Sequence, residues 1–272
     1  MAPKTPKPTP PALDEVEISV FGPGVGECIV LHVGSGAWVV VDSCLDSATR
    51  DPAALAYLRE LGVDPAAIQY IVLTHWHDDH VAGAARLVQA CPGAGVACSA
   101  ALRSEEFLTV VAASKRAMTT SSGVDEFRQI VETMRGRKVS KARAASIGPE
   151  LASADKRLWK GGGAPGGTPA ELWSLSPSSG AMHLALAEFG QLMPKGAMKA
   201  KRNAVAQRPN HVAVVLWVEV GNHRFLLGAD LESTGNPATG WNAIVSSSAR
   251  PAGQAQVYKV SHHGSGNASA DR

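Results

Sequence analysis

An α/β fold made of many short strands is predicted by three features of the sequence. Its 272 residues are 45% apolar and 18% charged, enough chain to bury one sizeable core. Short β-branched runs alternate with stretches of helical periodicity rather than forming one block. Acids and histidines, moreover, gather where the predicted strands end. The 26 Lys and Arg against 24 Asp and Glu leave a net charge of +2, so no global field announces a polyanionic or membrane partner. The longest apolar run, Val212 to Val218, falls far short of the roughly 20 residues of a membrane-spanning helix. Cys28, Cys44, Cys91 and Cys98 form no C-x-x-C pair, and the opening residues lack the apolar core of a secretory leader. A reduced, cytoplasmic setting is therefore expected, with the cysteines as small buried residues.

Taken in order, residues 1–14 hold five prolines and little to bury, and are expected as a disordered tail before a domain over 15–272. Val16–Phe21, Cys28–Val33 and Ala37–Val41 read as an antiparallel meander, the third run ending in Asp42. Asp51 and Pro52 open a helix through Leu55, Leu58 and Leu61 that Gly62 closes. A buried strand, Tyr70–Leu73, empties into THWHDDH, followed by a helix over Val81–Ala90 and a short strand around Val96. From about 103 to 167 the pattern predicts a basic helical insert. Eleven Lys and Arg face five Asp and Glu between Lys115 and Lys160, and the run GGGAPGG follows. Strands return at Leu172–Leu175, Val212–Val220, Arg224–Leu227 and Gln256–Val260.

His75, His77, Asp79 and His80 fall within six residues directly after a buried strand. Three imidazoles and a carboxylate are the donor set for Zn²⁺ and related borderline ions, and three of the chain's nine histidines sit here. Asp230 follows the strand that ends at Leu227. There it either meets cations or caps the turn before Leu231, since a buried carboxylate needs compensation. His262 follows the strand Val257–Val260 as His75 follows Tyr70–Leu73.

The H-x-H-x-D-H pattern resembles that of the metallo-β-lactamase superfamily. Gly-Val-Gly-Glu at 24–27, VVVDS ending at Ser43, THWHDDHVAG, FLLGADLE and KVSHHGS, in this order, look like the hydrolase domain of ComEC/Rec2 competence proteins. The resemblance covers about Val16 to the C-terminus, apart from the basic insert. It implies a four-layer αβ/βα sandwich holding two divalent ions, with Zn²⁺ the first choice and Mn or Fe accommodated by the same ligands. His75 and His77 would serve one ion, Asp79 and His80 the other, and Asp230 would bridge them. His262 is assigned to the second ion, with the neighbouring His263 left to meet the leaving group; the reverse assignment of the two stays open. Asp42 is expected to orient the ligand loop without touching metal. No histidine occurs between His80 and His183, so the third histidine common in the family is missing. His211 is the candidate additional ligand.

Such a centre implies hydrolysis, with Asp79 and His263 in catalytic roles and a phosphodiester of DNA or RNA as the favoured substrate. Gly264 and Ser265 are candidates to donate hydrogen bonds to a phosphate. Lys199, Lys201 and Arg202, within the acid-free stretch 191–208, could line a path for nucleic acid. The rival readings are hydrolysis of a small phosphoester, thioester, lactam or peptide, or a metal-binding module of a larger assembly. Only nine residues follow His263, so a protein partner or a missing C-terminal portion is expected to complete the fold. No phosphate loop, dinucleotide fingerprint or nucleophile elbow occurs, which removes kinase, dehydrogenase and serine-hydrolase readings.

Overall fold

The computed structural model describes residues 8–22, 24, 26–103, 123–137, 148–161, 167–192 and 209–268. Two sheets lie face to face. The first runs β1 (Glu17–Phe21), β2 (Cys28–His32), β3 (Trp38–Val41), β4 (Ile68–Leu73), β5 (Gly95–Ser99), β6 (Glu150–Ala152) in spatial order. β1 to β3 form the expected antiparallel meander, and β4, β5 and β6 then add in parallel, so the C-terminal ends of β3, β4 and β5 share one edge. The second sheet has the order β11-β10-β9-β8-β7, with β7 (Lys156–Gly161), β8 (Ala170–Ser174), β9 (Leu216–Val220) and β10 (His223–Leu227) antiparallel. β11 (Val257–Lys259) joins β10 in parallel, pairing Leu227 with Lys259.

Alternation along the strands builds the layers. Ile29, Leu31, Val39, Val41, Tyr70 and Val72 face Leu172, Leu216, Val218, Phe225 and Leu227 across the sandwich. The intervening residues, Val30, Trp38, Val40, Ile71 and Leu73, face a helical layer. That layer is made by α1 (Ala53–Leu61), α3 (Ala84–Ala90), α4 (Gly123–Gly136) and α5 (Ser179–Leu192). Strands covered on both faces need near-continuous apolar runs, and each fully buried large side chain contributes about 1.5–3 kcal/mol. On the second sheet the outer layer is thinner: α6 (Gly240–Ser246) places Trp241 and Ile244 against Val215, Trp217 and Leu231. β11 is an edge strand, and Val257 and Tyr258 on it and Val260 just beyond are exposed.

Three expectations need correction. The stretch from 103 to 167 is helical only in part. Of its described residues, 123–136 form α4, while 150–152 and 156–161 are strands that extend one sheet each. Sheet pairing overrides the polar, charge-rich composition of these short edges. Order also begins earlier than Val16, since the Leu13 carbonyl accepts the Ser35 N–H and the Glu15 carbonyl meets the His32 imidazole. Finally, Pro52 rather than Asp51 caps α1, and Asp51 instead pairs with Arg59 and Arg86. Among the described residues no helix is long and apolar enough to cross a membrane.

Candidate metal centre

The ligand candidates lie on loops at one edge of the sandwich. β4 ends at Leu73, and Thr74 to His77 then run extended into α2 (Asp78–Val81), a single helical turn. Asp42, at the end of β3, holds this loop. Its Oδ1 accepts the Thr74 N–H at 2.7 Å, and its Oδ2 accepts the Thr74 hydroxyl at 2.7 Å and His80 Nδ1–H at 2.8 Å. The Thr74 proton is thus committed to Asp42, so Thr74 Oγ1, 2.9 Å from His75 Nδ1, must accept from that ring. Both imidazoles are thereby fixed with Nδ1 protonated, leaving Nε2 of His75 and His80 to face the cluster. Asp42, Thr74, His75 and His80 are essentially without solvent contact. The Thr74 carbonyl accepts the Val214 N–H, which ties the loop to the second sheet.

Helix α4 adds a second brace. Gly123 N–H donates to the Asp78 carboxylate, and Glu126 accepts the N–H groups of Gly83 and Ala85, capping α3 from outside. Arg137 closes the other end of α3 through the carbonyls of Val88, Cys91 and Ala94.

From the second sheet, β10 delivers Asp230 and β11 delivers the histidine pair. Gly228 makes this close approach feasible: a Cβ there would overlap Ser261 Oγ and press on the Lys259 carbonyl. Gly228 N–H donates to the Lys259 carbonyl at 3.0 Å, and His262 N–H to the Ala229 carbonyl at 2.9 Å. Asp42, Ala229, His262 and His263 all adopt left-handed φ values between 45° and 61°, a strain that side-chain-bearing residues keep only where the surroundings impose it.

Two donor groups result. His75, His77 and Asp230 form one; Asp79, His80 and His263 form the other. His75 Nε2 lies 3.2 Å from His77 Nδ1, and His80 Nε2 lies 3.3 Å from Asp230 Oδ1. His263 Nε2 is 3.5 Å from Asp230 Oδ2 and 3.7 Å from Asp79 Oδ2. Asp230 therefore touches both groups. His80 Nε2 and Asp230 Oδ1 are buried and, among the described residues, make no hydrogen bond despite their proximity, the condition a cation between them would relieve. Burial pushes the His80 imidazole down, yet the Asp230 and Asp42 carboxylates outweigh it and hold it at about 10. Burial and the neighbouring rings hold His75 well below the usual imidazole range, and burial lowers His77 too, so their lone pairs are available. Burial opposes ionisation of Asp230, but His80 reverses the balance and lowers it.

The structure exchanges the two neighbouring histidines. His263 faces the cluster, whereas His262 Nδ1 lies 3.1 Å from Asn267 Oδ1 and 3.4 Å from Glu232 Oε1. Both residues adopt left-handed φ values in the turn after β11. His211 is not in either donor group; its Nε2 lies 3.5 Å from Glu232 Oε2. The backbone N–H groups of Gly264 and Ser265 are spent on Ser261 and His262 within the turn, and the Ser265 hydroxyl donates to Asn267. They are therefore not free phosphate donors. Lys199, Lys201 and Arg202 lie outside the described residues.

Residues not singled out from the sequence also converge. Glu27 is buried beside His80 and Asp230 and pairs with Lys259. Burial raises its carboxyl above the usual range, more than Lys259 lowers it. Glu232 links Asn210, His211 and His262. Their signal was present in the quoted strings, since Glu27 closes GVGE, Glu232 closes FLLGADLE and Lys259 opens KVSHHGS. A cavity of about 210 Å³ adjoins, walled by Trp76, Ala185 and Val212 with Glu188 and His211 in its lining. All four cysteines are free and buried, and burial pushes the Cys44 thiol up to about 11, so it is no thiolate near neutral pH.

The family model described as the Metallo-beta-lactamase superfamily matches residues 21–186. No curated protein gives a significant match. Among solved structures, a metallo-β-lactamase of Cronobacter sakazakii with a mutated HARLDQ motif is 18% identical at a TM-score of 0.41, covering 81% of this chain and 64% of that one. The metallo-β-lactamase fold protein YhfI of Bacillus subtilis is 13% identical at 0.41, covering 81% and 65%. A putative metallo-β-lactamase of Thermotoga maritima is 14% identical at 0.41, covering 79% and 78%. The chain thus spans less than two thirds of the length of the first two.

Proposed function

From its membership of the metallo-β-lactamase superfamily, we propose that this chain is a metal-dependent hydrolase whose two donor groups each hold a divalent cation, with a phosphodiester as substrate. The observation that carries the hydrolase reading is the pair of His/Asp groups meeting at Asp230, with His80 Nε2 and Asp230 Oδ1 buried and lacking hydrogen bonds among the described residues. When bound, such cations lower the pKa of water from about 15.7 toward about 7 and stabilise negative charge on the reacting centre. His75, His77 and Asp230 would hold one, and Asp79, His80 and His263 the other, so His263 would take the ligand role expected of His262. Asp42 and Thr74 fix the protonation state of both buried imidazoles. Asp79, whose side chain is partly open to solvent, is placed to accept a proton from the attacking water.

A phosphodiester suits two cations flanking a shared carboxylate, and the acid-free basic stretch 191–208 suits a nucleic-acid strand. A second reading, hydrolysis of a small ester, thioester or lactam, draws on the adjoining cavity, whose described lining includes Trp76, Ala185, Val212 and Glu188.

The test is purification with elemental analysis, followed by assay of single- and double-stranded nucleic acids, bis-aryl phosphodiesters, thioesters and lactams before and after chelation. Metal-dependent phosphodiester cleavage abolished by His75→Ala is the expected result. Uptake of no metal would end the hydrolase reading, and turnover confined to small acyl substrates would select the second.

A further inference from the structure

Glu27 lies just before β2, delivered by a loop that turns back so tightly that a Cβ on Gly22 would overlap the Gly26 carbonyl oxygen. Its N–H donates to the Asp79 carbonyl at 2.9 Å, so its backbone is tied to the ligand loop. Its side chain is only 5% exposed. Oε2 pairs with the Lys259 ammonium, while Oε1 has no hydrogen-bond partner among the described residues. Donor atoms of Glu27, His80 and Asp230 lie within 4.8 Å of one another. Lys259 has a second anchor, the Ala229 carbonyl at 3.2 Å, one residue before Asp230.

A buried carboxylate with one oxygen bare, beside a bare imidazole nitrogen and a second bare carboxylate oxygen, is a cation site with a ligand in reserve. We propose that Glu27 is a further ligand for the cation at His80 and Asp230, and that the Lys259 ammonium competes with that cation for the same carboxylate. The inference rests on the metal-dependent reading above. Lys259 is thus a positioning residue that limits how tightly the centre holds its metal. A brace between the two sheets would need only the pairing of Oε2 with Lys259 and would not require Glu27 to lie within ligand reach of His80 and Asp230.

The two accounts separate on affinity. The full chain, stripped by chelation, is titrated with Zn²⁺ against a competing chelator and with Co²⁺ while its d–d absorption is followed, for wild type, Glu27→Gln and Lys259→Met. Wild type is expected to bind, Glu27→Gln to lose about 10–100-fold in affinity at one site with an altered Co²⁺ spectrum, and Lys259→Met to bind at least as tightly as wild type. Equal weakening in both variants, or no change in Glu27→Gln, overturns the proposal. Absence of any uptake by wild type instead removes the hydrolase reading on which it rests. If either single variant fails to fold, the neutral pair Glu27→Gln with Lys259→Met leaves no charge stranded and must show the same loss at one site; retention of wild-type affinity there would overturn it.

Discussion

His80 and His263 face the same cluster from opposite halves of the sandwich, and they are held in very different ways. His80 is fully buried, with Nδ1 committed to an equally buried Asp42, on a loop braced by Thr74, Gly123 and the α4–α3 contacts. His263 keeps 36% of its side chain in solvent and sits in a short helical turn after a three-residue edge strand. Asp230 is the one buried ligand candidate from the second half. The first half holds its donor side chains in buried, hydrogen-bonded positions, while His263 in the second is more open to solvent and less braced.

The sharpest way to break this comparison is to remove one support from each half. Asp42→Ala strands the His80 Nδ1–H and the Thr74 hydroxyl and N–H in a buried pocket, and is expected to cost about 3–5 kcal/mol of stability in urea unfolding. His263→Ala is expected to change stability by no more than about 0.5 kcal/mol, while lowering turnover more than about 100-fold. Equal losses of stability in the two variants would show that the halves are braced alike.

A smaller effect sharpens the role of α4. Arg137→Ala leaves three carbonyls at the end of α3 without their donor, and about 1–3 kcal/mol should be lost in thermal unfolding. Because Glu126 and Gly123 remain, metal affinity is expected to hold. A proportional fall in metal affinity would mean that α3 and the ligand loop move as one.

The smallest effect lies at the far end of the first sheet. Burial lowers the His32 pKa, and the ring stays neutral because Nε2 accepts the Gly36 N–H while Nδ1 meets the Glu15 carbonyl. The unfolded chain therefore takes up this proton more readily than the folded one. Its contribution is complete above the ordinary imidazole range and is lost as pH falls below it. Urea midpoints between pH 7.5 and about 5 should drop less in His32→Gln than in wild type, and an identical slope would refute the assignment.

What the sequence made legible follows from distance along the chain. THWHDDH carries four donor candidates on one loop, and a buried strand ahead of it identifies the loop as a strand end; both are local signals. Asp42 was recognisable for the same reason. The Glu27–Lys259 pair joins residues from different sheets, and nothing in either segment states that GVGE and KVSHHGS will meet. Which of His262 and His263 faces the cluster depends on the turn after β11, where both residues adopt left-handed φ values, and no local pattern in KVSHHGS states it. Strands β6 and β7 were hidden because ELA and KRLWKG contain too little apolar alternation to outweigh their charged surroundings.

Ala229 is the alanine in a dihedral region that alanine ordinarily avoids, between a glycine that lets the ends of β10 and β11 lie close and the acid that touches both donor groups. Glycine would sit there at no steric penalty, whereas alanine gives up about 1–3 kcal/mol. Libraries selected for heat resistance alone should therefore enrich Ala229→Gly ahead of changes to the filled interior, and the slackened hinge before Asp230 would then report how much of the turnover depends on that tension.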